Sequence, residues 1–112
     1  MSRLPTTINR WEVGEPSEWL HNAHAGEMLA LDFMEPLGMS AADLAREIDV
    51  GEARVQDVIL GARRIDAELD LRLARYYGMS PGFFLGLQVD HELLEAKRAL
   101  NGALDRIVPR AA

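Results

Sequence analysis

The stretch Leu44-Ala45-Arg46-Glu47-Ile48-Asp49-Val50-Gly51, continuing through Val55, Val58 and Ile59 to Gly61-Ala62-Arg63-Arg64, decides how this chain is read. Leu44, Ala45 and Ile48 recur at helical spacing, as do Val55, Val58 and Ile59, so each group forms the inner stripe of a short helix. Asp49 falls where the turn between them needs left-handed backbone, which aspartate tolerates because its side chain is short and polar. Val50 plugs the corner, Gly51 opens the second helix and Gly61 ends it. Such a pair is a helix-turn-helix, whose second helix usually offers its outer face to the major groove of DNA. The charge of the unit runs against that use. Asp43, Glu47, Asp49, Glu52 and Asp57 outnumber Arg46 and Arg54, whereas DNA affinity comes mainly from cations set against phosphates.

Outward from this unit, Met28, Leu29, Leu31 and Phe33 predict a helix over 26–35, stopped by Pro36-Leu37-Gly38, with His24 closing its start. Ser40 is a good amino-cap for the next helix, and Asp43 three residues on completes an approximate capping box. Asp66 caps a further helix to Tyr77, which Gly78 terminates. Ser80-Pro81 opens a short helix through Phe83, Phe84 and Leu87. A last helix is expected from about Asp90 to Ile107, weakened by Gly102 and stopped by Pro109, with Leu93, Leu100 and Ile107 at seven-residue spacing. A stripe of that kind commonly packs on its own domain. Residues 1–23 read as an arm, broken by Pro5, Gly14 and Pro16, with a short helix possible from Pro16 to His21.

The expected architecture is therefore all-α, a compact five- to six-helix domain built around the helix-turn-helix. Residues 1–23 form an amino-terminal arm, 24–88 the helix-turn-helix domain, and 89–112 a carboxy-terminal helix and short tail. A length of 112 residues fits one core. The chain has no cysteine, which removes disulfides, thiolate zinc sites and cysteine nucleophiles together. No apolar run is long enough to span a bilayer and no secretory leader is evident, so a cytoplasmic protein is expected. With no glycine-rich phosphate loop, and with serines only at Ser2, Ser17, Ser40 and Ser80, no enzymatic constellation and no cofactor are expected. His21 and His24 stand three apart, but no third ligand accompanies them, and no metal site is assigned.

The formal charge of −6 is unevenly placed. Residues 23–50 hold six acids against Arg46 alone, whereas in residues 51–78 five acids balance five arginines. An acidic surface repels nucleic acid at long range and attracts basic proteins.

Three blocks resemble the HigA antitoxins of bacterial toxin-antitoxin modules, within the lambda-repressor-like (XRE) helix-turn-helix group. The first is His24-Ala25-Gly26-Glu27-Met28-Leu29 with Phe33-Met34-Glu35-Pro36-Leu37-Gly38-Met39-Ser40, in which Ala25 stands where proline is more usual. The second is the helix-turn-helix itself, with Gly51 in place of the usual serine. The third is Leu71-Arg72-Leu73-Ala74-Arg75-Tyr76-Tyr77-Gly78-Met79-Ser80-Pro81, continuing to Phe83, Phe84, Leu87 and Gln88. The resemblance implies a homodimer that represses its own operon by binding the operator DNA, and that neutralises a small basic ribonuclease toxin, an mRNA interferase of the RelE-like class. Plasmid maintenance is a role of such modules.

Carried over by position, the DNA-binding residues are Ser40, then Glu52, Ala53, Arg54, Gln56 and Asp57 on the second helix of the unit, and Arg63 and Arg64 after it. Ser40 and the arginines would position phosphate, while Gln56 and Arg54 could read base edges. Trp11 and Trp19 are the toxin-contact candidates, because exposed tryptophan is enriched where interfaces concentrate their energy. Two other readings stay open: a protein-interaction module of the same fold that has lost DNA binding, as Glu52 and Asp57 would allow, and a stand-alone transcriptional repressor.

Overall fold

In the computed structural model, residues 22–111 are described, and these form helices with no strand among them. Helix α1 (Ala25–Met28) begins at His24, whose Nδ1 accepts the Gly26 and Glu27 amides while the Glu27 side chain takes the His24 amide. The nitrogen at Nδ1 is thus the unprotonated one. The helix then widens into a π-wound segment, Leu29–Met34, and tightens into a 3-10 turn, Glu35–Leu37. The sequence reading matches this extent but not its winding. Leu29 and Met34 are both buried, and because they are five residues apart an α-helix would turn one of them away from the core. Gly38, at φ +65°, ends the segment as expected.

Helix α2 (Ala41–Ile48) starts at Ser40 through a complete capping box with Asp43 and ends at Asp49, whose φ of 60° is the left-handed turn conformation anticipated for it. Helix α3 (Glu52–Ile59) follows after Val50 and Gly51, burying Val55 and Val58. Helix α4 (Ala67–Tyr77) runs from the Asp66 cap to Gly78 at φ +72°. Leu29, Leu44, Ile65, Leu69, Leu73 and Phe84 form the centre of the core, with the Phe33 ring packed at a steep angle against both Tyr77 and Phe84, each centroid 5.1 Å away.

The carboxy-terminal helices differ from expectation. A single helix α5 (Phe83–Leu100) replaces the two predicted there, and it crosses residues 88–90 without a break. Within it the Gln88 side chain turns inward: the amide oxygen accepts from Ile65 N at 2.7 Å and the amide nitrogen donates to Ile65 O at 2.9 Å. The helix stops at Leu100, well before Pro109, because Asn101 and Gly102 both take positive φ, and a 3-10 turn (Ala103–Arg106) follows. The stripe Leu93, Leu100 and Ile107 does not pack on the domain. All three are exposed, because Phe84 and Gln88 already face the core.

Two contacts fix the helices relative to each other. A Cβ placed on Gly26 would lie 1.8 Å from the Val58 carbonyl oxygen, so α1 and α3 touch backbone to backbone and only glycine fits. Asp70, buried in α4, accepts the Gly82 and Leu85 amides at 2.6 and 2.9 Å and so ties down the first turn of α5. Gly26→Ala is expected to cost about 3 kcal/mol in urea denaturation, whereas Gly51→Ala, where a Cβ meets nothing within 4 Å, costs about 0.5 kcal/mol. Asp70→Ala removes the acceptor shared by two part-buried amides, and a loss of about 2 kcal/mol is expected in the same measurement.

Candidate nucleic-acid interface

The helix-turn-helix places its residues on three features: the amino end of α2, the outer face of α3 and the segment between α3 and α4. At the first, the Ser40 hydroxyl accepts the Asp43 amide at 3.0 Å and the Asp43 carboxylate accepts the Ser40 amide at 2.9 Å. That amide, together with the Ser40 hydroxyl and Arg46, holds the Asp43 carboxyl below its ordinary range. A carboxylate of the protein thus stands where a phosphate would approach the end of α2, and Arg46, 2.9 Å from it, offsets part of its charge.

The turn is held from behind. Arg72 in α4 donates to the Ile48 carbonyl at 2.8 Å and reaches the Asp49 carbonyl at 3.4 Å, covering carbonyls that the end of α2 leaves unpaired. On α3, Glu52, Ala53 and Gln56 are exposed, while Arg54 and Asp57 are half-buried. The Gln56 amide donates to the Glu52 carboxylate at 2.8 Å, one helical turn away. This leaves its oxygen and one N–H for another partner.

Arg54 does not reach outward. Its guanidinium sits 2.7 and 2.8 Å from the two Asp66 oxygens and 3.8 Å from Glu68, and the side chain is only 19% exposed. It joins the recognition helix to the start of α4. Arg64 is likewise engaged, bonded through two nitrogens to Glu92 of α5 at 2.6 and 2.9 Å. Arg63 is exposed and makes no ion pair among the described residues. Asp66 is held below the usual carboxylate range first by the Leu69 amide it caps, then by Arg54 and Arg63.

Of the eight residues predicted for the interface, Ser40, Glu52, Ala53, Gln56, Arg63 and Arg64 are exposed, while Arg54 and Asp57 are half-buried. Trp11 and Trp19 lie outside the described residues, as does His21. Among the described residues no group of three or more histidines and acids could hold a metal ion, and no helix is long and apolar enough to cross a membrane. Sequence reading missed the organising roles of Asp70 and Gln88. Asp70 shares the inner face of α4 with Leu73 and Ala74, and that placement of an acid in an apolar stripe was the available signal.

The lowered Asp43, Asp66 and Glu92 carboxyls stabilise the fold while ionised, so their contribution is present above the unfolded-state values and is lost on acidification. The urea midpoint is expected to fall as pH is lowered from about 5 to about 3, and to fall less steeply in Asp66→Asn.

A helix-turn-helix family profile matches residues 32–84. Virulence-associated protein I of Dichelobacter nodosus is 33% identical over 75 residues, 67% of this chain and 69% of that protein. Among solved structures, an addiction-module antidote protein of the HigA family from Coxiella burnetii is 32% identical with a TM-score of 0.73, covering 82% of this chain and all of the other. The Pseudomonas aeruginosa antitoxin HigA, solved with the higBA promoter, is 29% identical with a TM-score of 0.71, again over 82% of this chain and all of its own. Sharing one helix-turn-helix fold with these solved structures over most of its length, the chain belongs to the HigA-type antitoxin family of helix-turn-helix proteins.

Proposed function

We propose that this protein is a cytoplasmic antitoxin that binds the operator of its own operon as a homodimer and neutralises a small basic RelE-like mRNA interferase. The observation that carries the operator reading is the exposed outer face of α3, set rigidly on the domain, in a fold whose Pseudomonas aeruginosa relative was solved with promoter DNA. Gln56 is the base reader: its remaining N–H and oxygen match the N7 and N6 edge of adenine. Arg63 neutralises phosphate, and Arg54 acts indirectly by fixing α3 against α4. Glu52 and Asp57 disfavour phosphate and favour a donor such as cytosine N4.

The toxin reading is supported by the acidity of the first two helices, which favours encounter with a basic protein. Trp11 and Trp19 supply apolar anchors to that partner. One observation favours the second reading, an interaction module without DNA binding: Arg54 and Arg64 are already bonded to carboxylates, which leaves few cations for phosphate.

A titration on the promoter of the operon at several salt concentrations separates these readings. Operator binding with a shallow salt slope is expected, with Gln56→Ala losing about 1–3 kcal/mol of discrimination at one base pair and Arg63→Ala weakening all sequences alike. Binding no tighter than to random DNA selects the interaction module instead. Co-expression with the neighbouring toxic reading frame tests the other half: growth is expected to be rescued, and unrelieved toxicity with no complex on a sizing column removes the antitoxin role.

A further inference from the structure

Two side chains of α5, one helical turn apart, hold two consecutive residues of the segment between α3 and α4. Gln88 takes both backbone groups of Ile65. Glu92, four residues on along the same face, takes the side chain of Arg64 through Nε and Nη2 at 2.6 and 2.9 Å. The backbone beside Arg64 is therefore pinned, while among the described residues its guanidinium is held by that one carboxylate. The two Glu92 oxygens accept from the planar fork as two oxygens of a phosphate would. The hydrogen bond from Arg64, and then the charges of Arg64 and His91, hold the Glu92 carboxyl below its ordinary range, and Glu92 raises Arg64 in turn.

The arginines of this region differ in freedom. Arg54 is set between α3 and α4 by Asp66 and Glu68, so releasing it would loosen the recognition helix. The Arg64 side chain is 66% exposed and that of Glu92 42%. Arg64 lies on non-helical chain just beyond the recognition helix, next to the exposed Arg63. An exposed pair of this kind costs little to open. Its guanidinium can change partners with no movement of the fold.

We propose that Glu92 is an internal competitor for phosphate: it occupies Arg64 in the free protein, and DNA gains that arginine only by displacing the carboxylate. The inference rests on the reading of the protein as an operator binder and adds a residue outside the helix-turn-helix that sets its affinity. Two effects act in the same direction. Opening the pair forfeits its attraction, and the displaced carboxylate then repels the phosphate that has taken its place. Phosphate contacts carry no base information, so the competition weakens binding to every sequence alike and leaves base preference unchanged.

The test is a fluorescence-anisotropy titration of the full chain on the promoter of its operon and on random duplex DNA of the same length, at several salt concentrations. Glu92→Gln is expected to bind both DNAs about tenfold more tightly than the wild type, with an unchanged circular dichroism spectrum. Its plot of log affinity against log salt is expected to be steeper by about one, the mark of one further phosphate contact. Arg64→Ala is expected to lose about twofold in the wild-type background and about tenfold in Glu92→Gln, the excess measuring the coupling. Asp90→Asn removes the same charge from α5 and leaves the Arg64–Glu92 pair in place, so it gains about twofold at most and keeps its salt slope. A Glu92→Gln protein that binds no more tightly overturns the proposal, as does a gain that survives Arg64→Ala or is matched by Asp90→Asn. An Arg64→Ala loss equal in both backgrounds also overturns it. Promoter binding no tighter than random DNA removes the operator reading, whereas a preserved promoter preference with no effect of Glu92→Gln removes the competitor alone.

Discussion

The placement of the recognition helix depends on the absence of one side chain. Gly26 lets the start of α1 lie directly on the carbonyl of Val58, near the end of α3, and no other residue permits that approach. His24 caps the same turn, and the backbone at Gly61, with φ +79°, passes beside its ring. The end of the recognition helix is thereby seated on backbone, which does not rearrange as side chains do. The start of that helix is held differently, by the guanidinium of Arg54 across to Asp66 at the cap of α4. One end is set by shape and the other by charge.

Much of the positive charge is paired within the protein's own surface. Arg54, Arg64, Arg46 and Arg72 each meet a carboxylate, and two of those pairs, Arg54 with Asp66 and Arg64 with Glu92, join α3 or the segment after it to other parts of the fold. Exposed pairs of this kind contribute little to stability individually. Their larger effect is on the electrostatic face that remains, which is poorer in positive charge than the arginine count implies. The acidity noted in the sequence is thus accentuated by the fold, and it bears on which partners approach the molecule.

Much of this was legible in the residues. The caps at Ser40 and Asp66, the left-handed Asp49 and the stop at Gly78 follow from local chemistry that operates within four residues, and each forms as read. Features set by residues distant in the chain were not legible. The seating of α5 on the segment before α4 depends on Gln88 meeting the backbone of Ile65, 23 residues away, and nothing near Gln88 announces that partner. Arg54 occupies a reading position by register, but its direction is set by Asp66 across a turn. The exposure of Leu93 and Leu100 follows from which face of α5 the core takes first, and helical spacing alone does not decide between two apolar faces.

The π-wound segment Leu29–Met34 can be regarded as a phase shifter between two rigid halves. An α-helix advances 100° per residue, so one residue taken into a wider turn displaces everything before it by roughly that angle relative to everything after it. His24, Gly26 and Glu27 lie on one side of the shift, and Met34, Gly38 and the helix-turn-helix on the other. The glycine that must face Val58 is therefore aimed by a change of winding several residues downstream. Chains that differ by a single residue in this segment would have to seat their recognition helix on a different residue of α1.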